Sequence, residues 1–412
     1  MRFVEDRSIG NALVDMYANG GFLAEAEEVF FRLQTRDIVA WTSLIGGYTK
    51  HGFGEEAINC FQKMQDGAIC PDSVVYICVL KACSSIREIE KGQEIHAEVM
   101  RLKLLEQHPN VGTALIDMYS CCDILIYSQE VFDKLPHQDI VSWNALIGAY
   151  MNHGCSMLAL NCFEQMQLEG VYPDAITFLH IMKACSNIGA MDNGQNIHTN
   201  IVKQDLLENH ICLGNALLDM YIRCGLFKEA QDIFDKLPLK DTVSWNTLSM
   251  GYIKYGYFNH ALKCIQKMQQ LRITPDLATF LCRLKVCCSV DTMEDCHELH
   301  SEMINKGFLE KEFTFSSLVK SQEENTVLWN GVMEAYLSHG HSEETLACFE
   351  RMQLEGVYLD DVTLVCGIKA CIGLRALCKG QEIHRYVVEI GSERENFMVG
   401  TALINMYATG GL

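Results

Sequence analysis

The sequence predicts an all-α fold, an α-solenoid of stacked helix–turn–helix hairpins, on the strength of three observations. The four tryptophans recur at fixed intervals, 102 residues apart for the first three and 84 for the last: Trp41, Trp143, Trp245 and Trp329. Four glycines that could each end a helix keep the same intervals: Gly52, Gly154, Gly256 and Gly340. Three of the 6 prolines close equivalent segments: Pro71, Pro173 and Pro275. Paired helices repeated with a period in the low thirties stack into a solenoid.

The clearest repeat runs from Ile140 to Asp174. Its first half carries four apolar residues at the i, i+3, i+4, i+7 spacing of one helix face: Trp143, Leu146, Ile147 and Tyr150. Gly154 follows, and glycine ends helices readily because it takes the left-handed backbone conformation without strain. A second apolar face then comes from Ala159, Phe163 and Met166. This repeat is therefore predicted to be a helical hairpin, closed by a proline.

Repeats of three lengths alternate along the chain: short repeats of 31 residues, repeats of 35 residues and long repeats of 36 residues. The order short, 35-residue, long gives 7–37, 38–72 and 73–108 in the first triplet. We predict a solenoid over residues 7–311, built from the triplets 7–108, 109–210 and 211–311.

The pattern is interrupted in the last third of the chain. His300 still lies 102 residues after His198, so a loss of 18 residues falls between His300 and Trp329. We predict a truncated short repeat at 312–325, with most of a first helix and no second, and normal repeats from 326 to 412. The truncation is expected to weaken the solenoid, because a lone helix cannot bury the faces of both neighbours.

The composition limits the class of protein. Hydrophobic residues make up 49% of the chain, enough for one continuous stacked core, and no run of 18 apolar residues suggests a membrane partner. Four of the 20 cysteines share one helical register, where cysteine behaves as a small buried hydrophobe, so reduced thiols are expected: Cys83, Cys185, Cys287 and Cys371. The N-terminus MRFVEDRSIG resembles neither a signal peptide nor a transit peptide.

No catalytic or metal site is predicted. His96 and Glu98 match half of a zinc deaminase signature, but no two cysteines stand three apart to complete it. His297 and His300 are three apart, whereas a zincin helix needs a spacing of four. We therefore predict a non-enzyme without a cofactor, in which the recurring histidines are structural.

Seven repeats carry a recurring polar pair. Their fifth residues are all Asn or Thr: Asn11, Thr42, Thr113, Asn144, Asn215, Asn246 and Asn330. Their last residues are all aspartate: Asp37, Asp72, Asp139, Asp174, Asp241, Asp276 and Asp360. Helix capping explains the aspartates but not the restriction to Asn or Thr. Because the fifth residue follows the buried face by one position, we expect it to point away from the core. The long repeats carry aliphatic residues there: Ile77, Leu179, Leu281 and Val365.

These repeats resemble the plant pentatricopeptide repeat family, in the triplet arrangement of its PLS subfamily. The motifs that carry the resemblance are SWNALIGAY and VYPD in the 35-residue repeats, KACS and GQxIH in the long ones, and GNALxDMY and VFDKLP in the short ones. The resemblance implies binding of single-stranded RNA at one base per repeat, chosen by the fifth and last residues. It implies U for Asn with Asp and G for Thr with Asp. Apolar second residues would pack on the base faces: Val39, Val141, Val243 and Val327.

The resemblance also implies a role in organellar RNA processing, in a mitochondrion or chloroplast, as a recognition factor for C-to-U editing. Family members of this class usually carry C-terminal E and DYW extensions, the latter a zinc-dependent cytidine deaminase. The sequence ends at Leu412 without either motif, so a deaminase or another editing factor would act in trans. No DNA partner is expected.

Two alternatives stay open on the sequence alone. The net charge is −20 and the pI about 5.1, whereas nucleic-acid-binding proteins are usually basic. A tetratricopeptide-like scaffold that binds a protein or peptide would fit this charge, although such a scaffold should show a single period near 34. The truncated repeat would also fit a non-functional fragment of a longer editing factor.

Overall fold

A computed structural model describes residues 7–204, 206–289, 299–302, 318–390 and 397–410. Throughout these ranges the regular elements are helices and none is a strand, which confirms the predicted all-α solenoid of helical hairpins. The chain divides into two compact halves, Met1–Ala216 and Leu217–Leu412.

The helices follow the predicted repeats. In the first half they are Arg7–Asn19, Leu23–Arg32, Ile38–Lys50, Gly54–Asp66, Ser73–Ile86, Ile89–Arg101, Leu104–Gln107, Pro109–Cys121, Leu125–Asp133, Ile140–Asn152, Ser156–Leu168, Ala175–Ile188, Met191–Lys203 and Leu206–Asn209. Ile211–Arg223 contains the boundary between the halves. In the second half they are Phe227–Lys236, Thr242–Lys254, Phe258–Gln270, Leu277–Cys287, Leu318–Ser338, Ser342–Glu355, Asp361–Leu374, Leu377–Ile390 and Phe397–Gly410.

Aspartate caps set where these repeats begin. The carboxylate of Asp174 accepts the backbone N–H of Thr177 at 2.9 Å, while its own backbone stays extended. The same cap occurs at the last residue of six other repeats: Asp37, Asp72, Asp139, Asp241, Asp276 and Asp360. Loss of such a cap typically destabilises a helix by about 0.5–2 kcal/mol. Capping is therefore a real function of these aspartates.

The four glycines predicted to end helices do so. Their φ angles are 83° at Gly52, 70° at Gly154, 80° at Gly256 and 77° at Gly340. Side chains disfavour this left-handed region, so glycine lets the chain reverse between the two helices of a hairpin.

The tryptophans join consecutive repeats. In the first three copies the indole ring packs edge-on against a phenylalanine of the preceding short repeat, with ring centroids 4.5–4.7 Å apart: Phe30–Trp41, Phe132–Trp143 and Phe234–Trp245. Trp329 is 0% exposed and packs instead against His300, with centroids 5.8 Å apart. His300 belongs to the long repeat, so the tryptophan contact crosses the predicted truncation.

The structure changes the prediction for that truncation. Residues 318–325 continue without a break into the helix Leu318–Ser338, so the predicted boundary at 325/326 lies inside one helix. Phe280, Leu284 and Leu299 of the long repeat share one buried cluster with Trp329. The long repeat and the next 35-residue repeat therefore pack directly on each other, and the weakly packed junction that we expected is not what the structure shows. Residues 312–317 lie outside the described ranges.

A histidine–tyrosine bond marks the same direct contact. In the first triplet, His96 Nδ1 of the long repeat lies 2.8 Å from the Tyr119 hydroxyl of the following short repeat. Across the truncation, His300 Nδ1 lies 3.0 Å from the hydroxyl of Tyr336, which belongs to a 35-residue repeat. Tyr336 thus takes the place that a short-repeat tyrosine has elsewhere.

Candidate nucleic-acid interface

The fifth and last residues of a repeat meet in space. The Asn144 Nδ2 group donates to Asp174 Oδ1 at 3.0 Å, although the two residues are thirty positions apart in sequence. The corresponding distances are 3.0 Å for Asn11–Asp37, 2.7 Å for Asn246–Asp276 and 2.9 Å for Asn330–Asp360. The two positions singled out by the sequence thus form one polar unit, which we call the Asn–Asp pair.

The threonines at the fifth position behave differently. Thr42 donates its hydroxyl proton to the Ile38 carbonyl at 2.7 Å, one turn back along its own helix. Asp72, the last residue of that repeat, is exposed at the start of the next helix. Thr113 is half-buried and Asp139 is exposed. A Thr–Asp repeat therefore presents a hydroxyl and a carboxylate that are held separately.

The expectation that fifth residues point away from the core is wrong for several of them. Asn11 and Asn246 are only 9% exposed, and Asn330 is 7% exposed. Thr42, Thr113, Asn144 and Asn215 are half-buried. Counting helix faces places these residues near the surface, but each asparagine turns its amide inward to reach the aspartate at the far end of its repeat.

The second-position valines are where the sequence predicts them to be. Val39, Val141, Val243 and Val327 are 52%, 49%, 53% and 47% exposed. A half-exposed valine leaves apolar surface in water, and four equivalent ones form a regular feature rather than scattered exposure. In the long repeats, Ile77, Leu179 and Leu281 at the fifth position are half-buried and Val365 is buried.

Two pockets show how these positions combine. One, of about 450 Å³, is lined by Val243, Asn246 and Met250, the second, fifth and ninth residues of a 35-residue repeat, and by Asp276 and Lys254. The other, of about 630 Å³, is lined by the second, fifth and ninth residues of a long repeat: Val362, Val365 and Lys369. The i, i+3, i+7 spacing puts these three positions on one helix face. We call this face the groove face.

The ninth position gives the groove face its charge, which the sequence analysis missed. It is an exposed lysine in all four long repeats: Lys81, Lys183, Lys285 and Lys369. In three short repeats it is an aspartate that is exposed or half-buried: Asp15, Asp117 and Asp219. A net charge of −20 therefore coexists with a regular row of cations, one per triplet. The recurrence of the KAC motif was the signal that could have revealed this row.

Histidine and cysteine are built into the packing. His96, His300 and His384 each pair a ring nitrogen with a tyrosine hydroxyl. Burial raises the pKa of the Cys83 and Cys282 thiols to about 12, so they stay protonated and are poor nucleophiles. Among the described residues no group of three or more His, Cys, Asp or Glu side chains could hold a metal ion. Cys296 and His297 lie outside the described ranges.

No helix in the described part of the chain is both long and apolar enough to span a membrane.

The aspartate of an Asn–Asp pair is held in its charged form. Burial raises the pKa of Asp174, but the Thr177 N–H and the Asn144 amide bond its carboxylate and bring the pKa below the ordinary value of 3.8. At Asp37 burial is likewise outweighed by the Ala40 N–H, Arg7 and Asn11. Both aspartates therefore present full negative charge at neutral pH.

This lowered pKa predicts a loss of stability in acid. A folded-state pKa below the unfolded value gives stability that is complete above the unfolded value and lost as pH falls through the folded one. We expect the melting temperature to fall once the pH drops below about 4. Asp174→Asn, which keeps a capping side chain, should fall less steeply than wild type in melting curves recorded at each pH. Parallel curves for the two proteins would contradict this prediction.

Comparison with known families identifies the repeats. A model described as PPR repeat family matches residues 36–85, 138–187 and 240–289. A second, described as PPR repeat, matches residues 11–38, 215–241, 278–308 and 327–357. Together the two models match more than half of the chain.

Similar curated proteins come from Arabidopsis thaliana. Pentatricopeptide repeat-containing protein At2g39620 is 30% identical over 98% of this chain and 50% of its own length. The mitochondrial protein At3g53360 is 30% identical over 98% of this chain and 55% of its own. The chloroplastic protein At1g15510 is 28% identical over 98% of this chain and 48% of its own. The chain thus spans about half the length of the curated relatives it matches.

Solved structures show the same fold. The crystal structure of the pentatricopeptide repeat protein PPR10 in complex with an 18-nt psaJ RNA element matches with a TM-score of 0.75 and 15% identity, over 97% of this chain and 57% of that one. The crystal structure of PPR10 from maize matches with a TM-score of 0.59 and 18% identity, over 98% of this chain and 66% of that one.

Proposed function

Because the chain belongs to the pentatricopeptide repeat family, we propose that it binds single-stranded RNA selectively, with one base per repeat. The observation that carries the proposal is the groove face, where a half-exposed valine, an Asn–Asp pair and charged residues line one pocket. An apolar surface to stack on and a polar group to bond the base edge are what recognition of an unpaired base requires. One solved relative, PPR10, was crystallised with RNA.

The base-reading residues would be the fifth and last residues of the seven repeats, with the four valines packing on the bases. Read from Arg7 with the RNA 5′ end first, the preferred sequence would be U-G-x-G-U-x-U-U-x, where x marks a long repeat. The aliphatic fifth residues of the long repeats cannot hydrogen-bond a base edge, which supports weak selectivity there.

The biological role that fits best is recognition of an organellar transcript, as part of C-to-U RNA editing by a PLS-type protein. The mitochondrial and chloroplastic names of the relatives support the compartment. The chemistry would be supplied by a deaminase or another editing factor acting in trans. Since the relatives are about twice as long as the matched region, this role concerns the RNA-recognition step.

A protein-binding scaffold is the second candidate, favoured by the net charge of −20. The row of lysines on the groove face and the restriction of fifth residues to Asn or Thr support RNA instead. A scaffold for varied peptides would have no reason to keep the same polar pair in seven repeats.

Asn144→Thr tests the proposal directly. The change replaces an amide by a hydroxyl at one base-reading position, so we expect the preference at the fifth base to move from U to G, by about 1 kcal/mol. We also expect the free energy of unfolding to fall by about 1 kcal/mol, because Asn144 is half-buried and bonded to Asp174. Selection from a random RNA pool measures the preference at every position.

The matched control is Asn161→Thr, the same chemical change at an exposed site on the second helix of the same repeat. It should leave all base preferences unchanged. An absence of base preference in wild type, or a fifth base that stays U in Asn144→Thr, would favour the protein-binding scaffold.

A further inference from the structure

A threonine from the following repeat bonds the amide of three Asn–Asp pairs. The Thr177 hydroxyl lies 2.6 Å from Asn144 Oδ1, Thr279 lies 2.8 Å from Asn246 Oδ1, and Thr363 lies 2.7 Å from Asn330 Oδ1. Each threonine is the third residue of a long repeat and is at most 1% exposed. The same junction therefore recurs three times with one geometry.

The surrounding bonds determine which way the amide faces. Asp276 accepts from the Asn246 Nδ2 group at 2.7 Å, so the nitrogen end of the amide faces the carboxylate. The Thr279 hydroxyl accepts the Asp276 backbone N–H at 3.2 Å, which leaves its proton for an oxygen, either Asn246 Oδ1 or Asp276 Oδ1 at 2.9 Å. A flipped amide would place its oxygen against the carboxylate, and a donor at Oδ1 further favours the observed orientation.

The other repeats show what happens without this hydroxyl. At the first junction of this kind the fifth residue is Thr42, which has no amide to orient, and the third residue of the next repeat is Val75. Asn11 is followed by Ala40 at the third position, and its Oδ1 is buried with no hydrogen-bond partner. At the junctions that enter long repeats, the threonine thus accompanies asparagine and is absent beside threonine.

We propose that Thr177, Thr279 and Thr363 are positioning residues for base selection. They lock the asparagine amide so that its oxygen is engaged inside the protein and its remaining N–H donor is available to the base. This inference rests on the proposed RNA-binding function and extends the base-reading unit from two side chains to three. Valine has nearly the shape of threonine, so a Thr→Val change removes the hydroxyl with little change in packing.

The test measures Thr279→Val with RNAs that differ only at the eighth base, which faces Asn246. Wild type should prefer U at that base, and Thr279→Val should lose about threefold to tenfold of that preference, the range expected for one hydrogen bond. The preference at the fifth base, which faces Asn144, should stay unchanged in the same variant. Thr279→Ser, which keeps a hydroxyl, should restore the eighth-base preference.

The possible outcomes separate the two proposals. Equal weakening of all RNAs by Thr279→Val, with the U preference kept, would mean that the threonine only stabilises the fold and would overturn this inference alone. A wild-type protein with no preference at the eighth base would overturn the proposed function and this inference together. Val75→Thr provides a control beside Thr42, where we expect no change at the second base.

Discussion

Trp329→Ala is expected to destabilise the second half of the chain by about 3–5 kcal/mol, the usual range for removing a buried tryptophan from a core. The indole is 0% exposed and lies in the cluster that joins the long repeat to the next 35-residue repeat. Its neighbours Phe280 and Leu284 come from the far side of the predicted truncation. Loss of the ring would leave a cavity at the junction that replaces the short repeat.

Hydrogen exchange is the measurement that locates this effect. Repeat proteins can open locally, so one unfolding curve does not report on one junction. Amides of Leu318–Ser338 should exchange faster in the variant, while those of Ile38–Lys50 should not change. Tyr358→Ala, at a side chain that is 67% exposed in the same repeat, serves as the control. A loss of less than about 1 kcal/mol would show that the direct packing is not what holds the junction.

Replacing the four groove-face lysines by glutamine is expected to weaken RNA binding by about 10²–10³-fold near 0.1 M salt. The lysines are Lys81, Lys183, Lys285 and Lys369. Each ammonium that neutralises a phosphate releases a counterion on binding. The slope of log affinity against log salt should therefore decrease by about 0.7 for each lysine. Base preferences should survive, because phosphate contacts carry no sequence information.

Four lysines on the second helices of hairpins provide a control with the same change in net charge. They are exposed and lie away from the groove face: Lys63, Lys228, Lys263 and Lys267. Their replacement by glutamine should change affinity far less than the groove-face set. Equal losses in the two sets would mean that overall charge, rather than the row of lysines, governs binding.

The sequence was sufficient for features that recur with the repeat. Glycine stops, aspartate caps and buried tryptophans each follow from local physics, so their spacing predicts their roles. The burial of Asn246 could not be found this way, because its partner Asp276 lies at the other end of the repeat and helix-face counting ignores such bonds. The pairing of Thr279 with Asn246 also depends on a contact between repeats.

The truncation shows a different limit. Thr326 follows Asn325 rather than the aspartate that precedes the other 35-residue repeats, and the helix runs through this position. Counting residues revealed the loss correctly. Whether the flanking repeats could meet depended on side-chain shape at both faces, which the count does not contain.

The eleventh residue of the short and 35-residue repeats gives that junction a wider meaning. It is a tyrosine in every one of them: Tyr17, Tyr48, Tyr119, Tyr150, Tyr221, Tyr252, Tyr336 and Tyr407. Any of these repeats can therefore offer a hydroxyl to the histidine of a preceding long repeat, as Tyr336 does for His300. The repeats thus carry interchangeable connectors. A gene that loses the second helix of one short repeat can still encode a continuous stack, so the number of bases contacted can change in evolution while the fold persists.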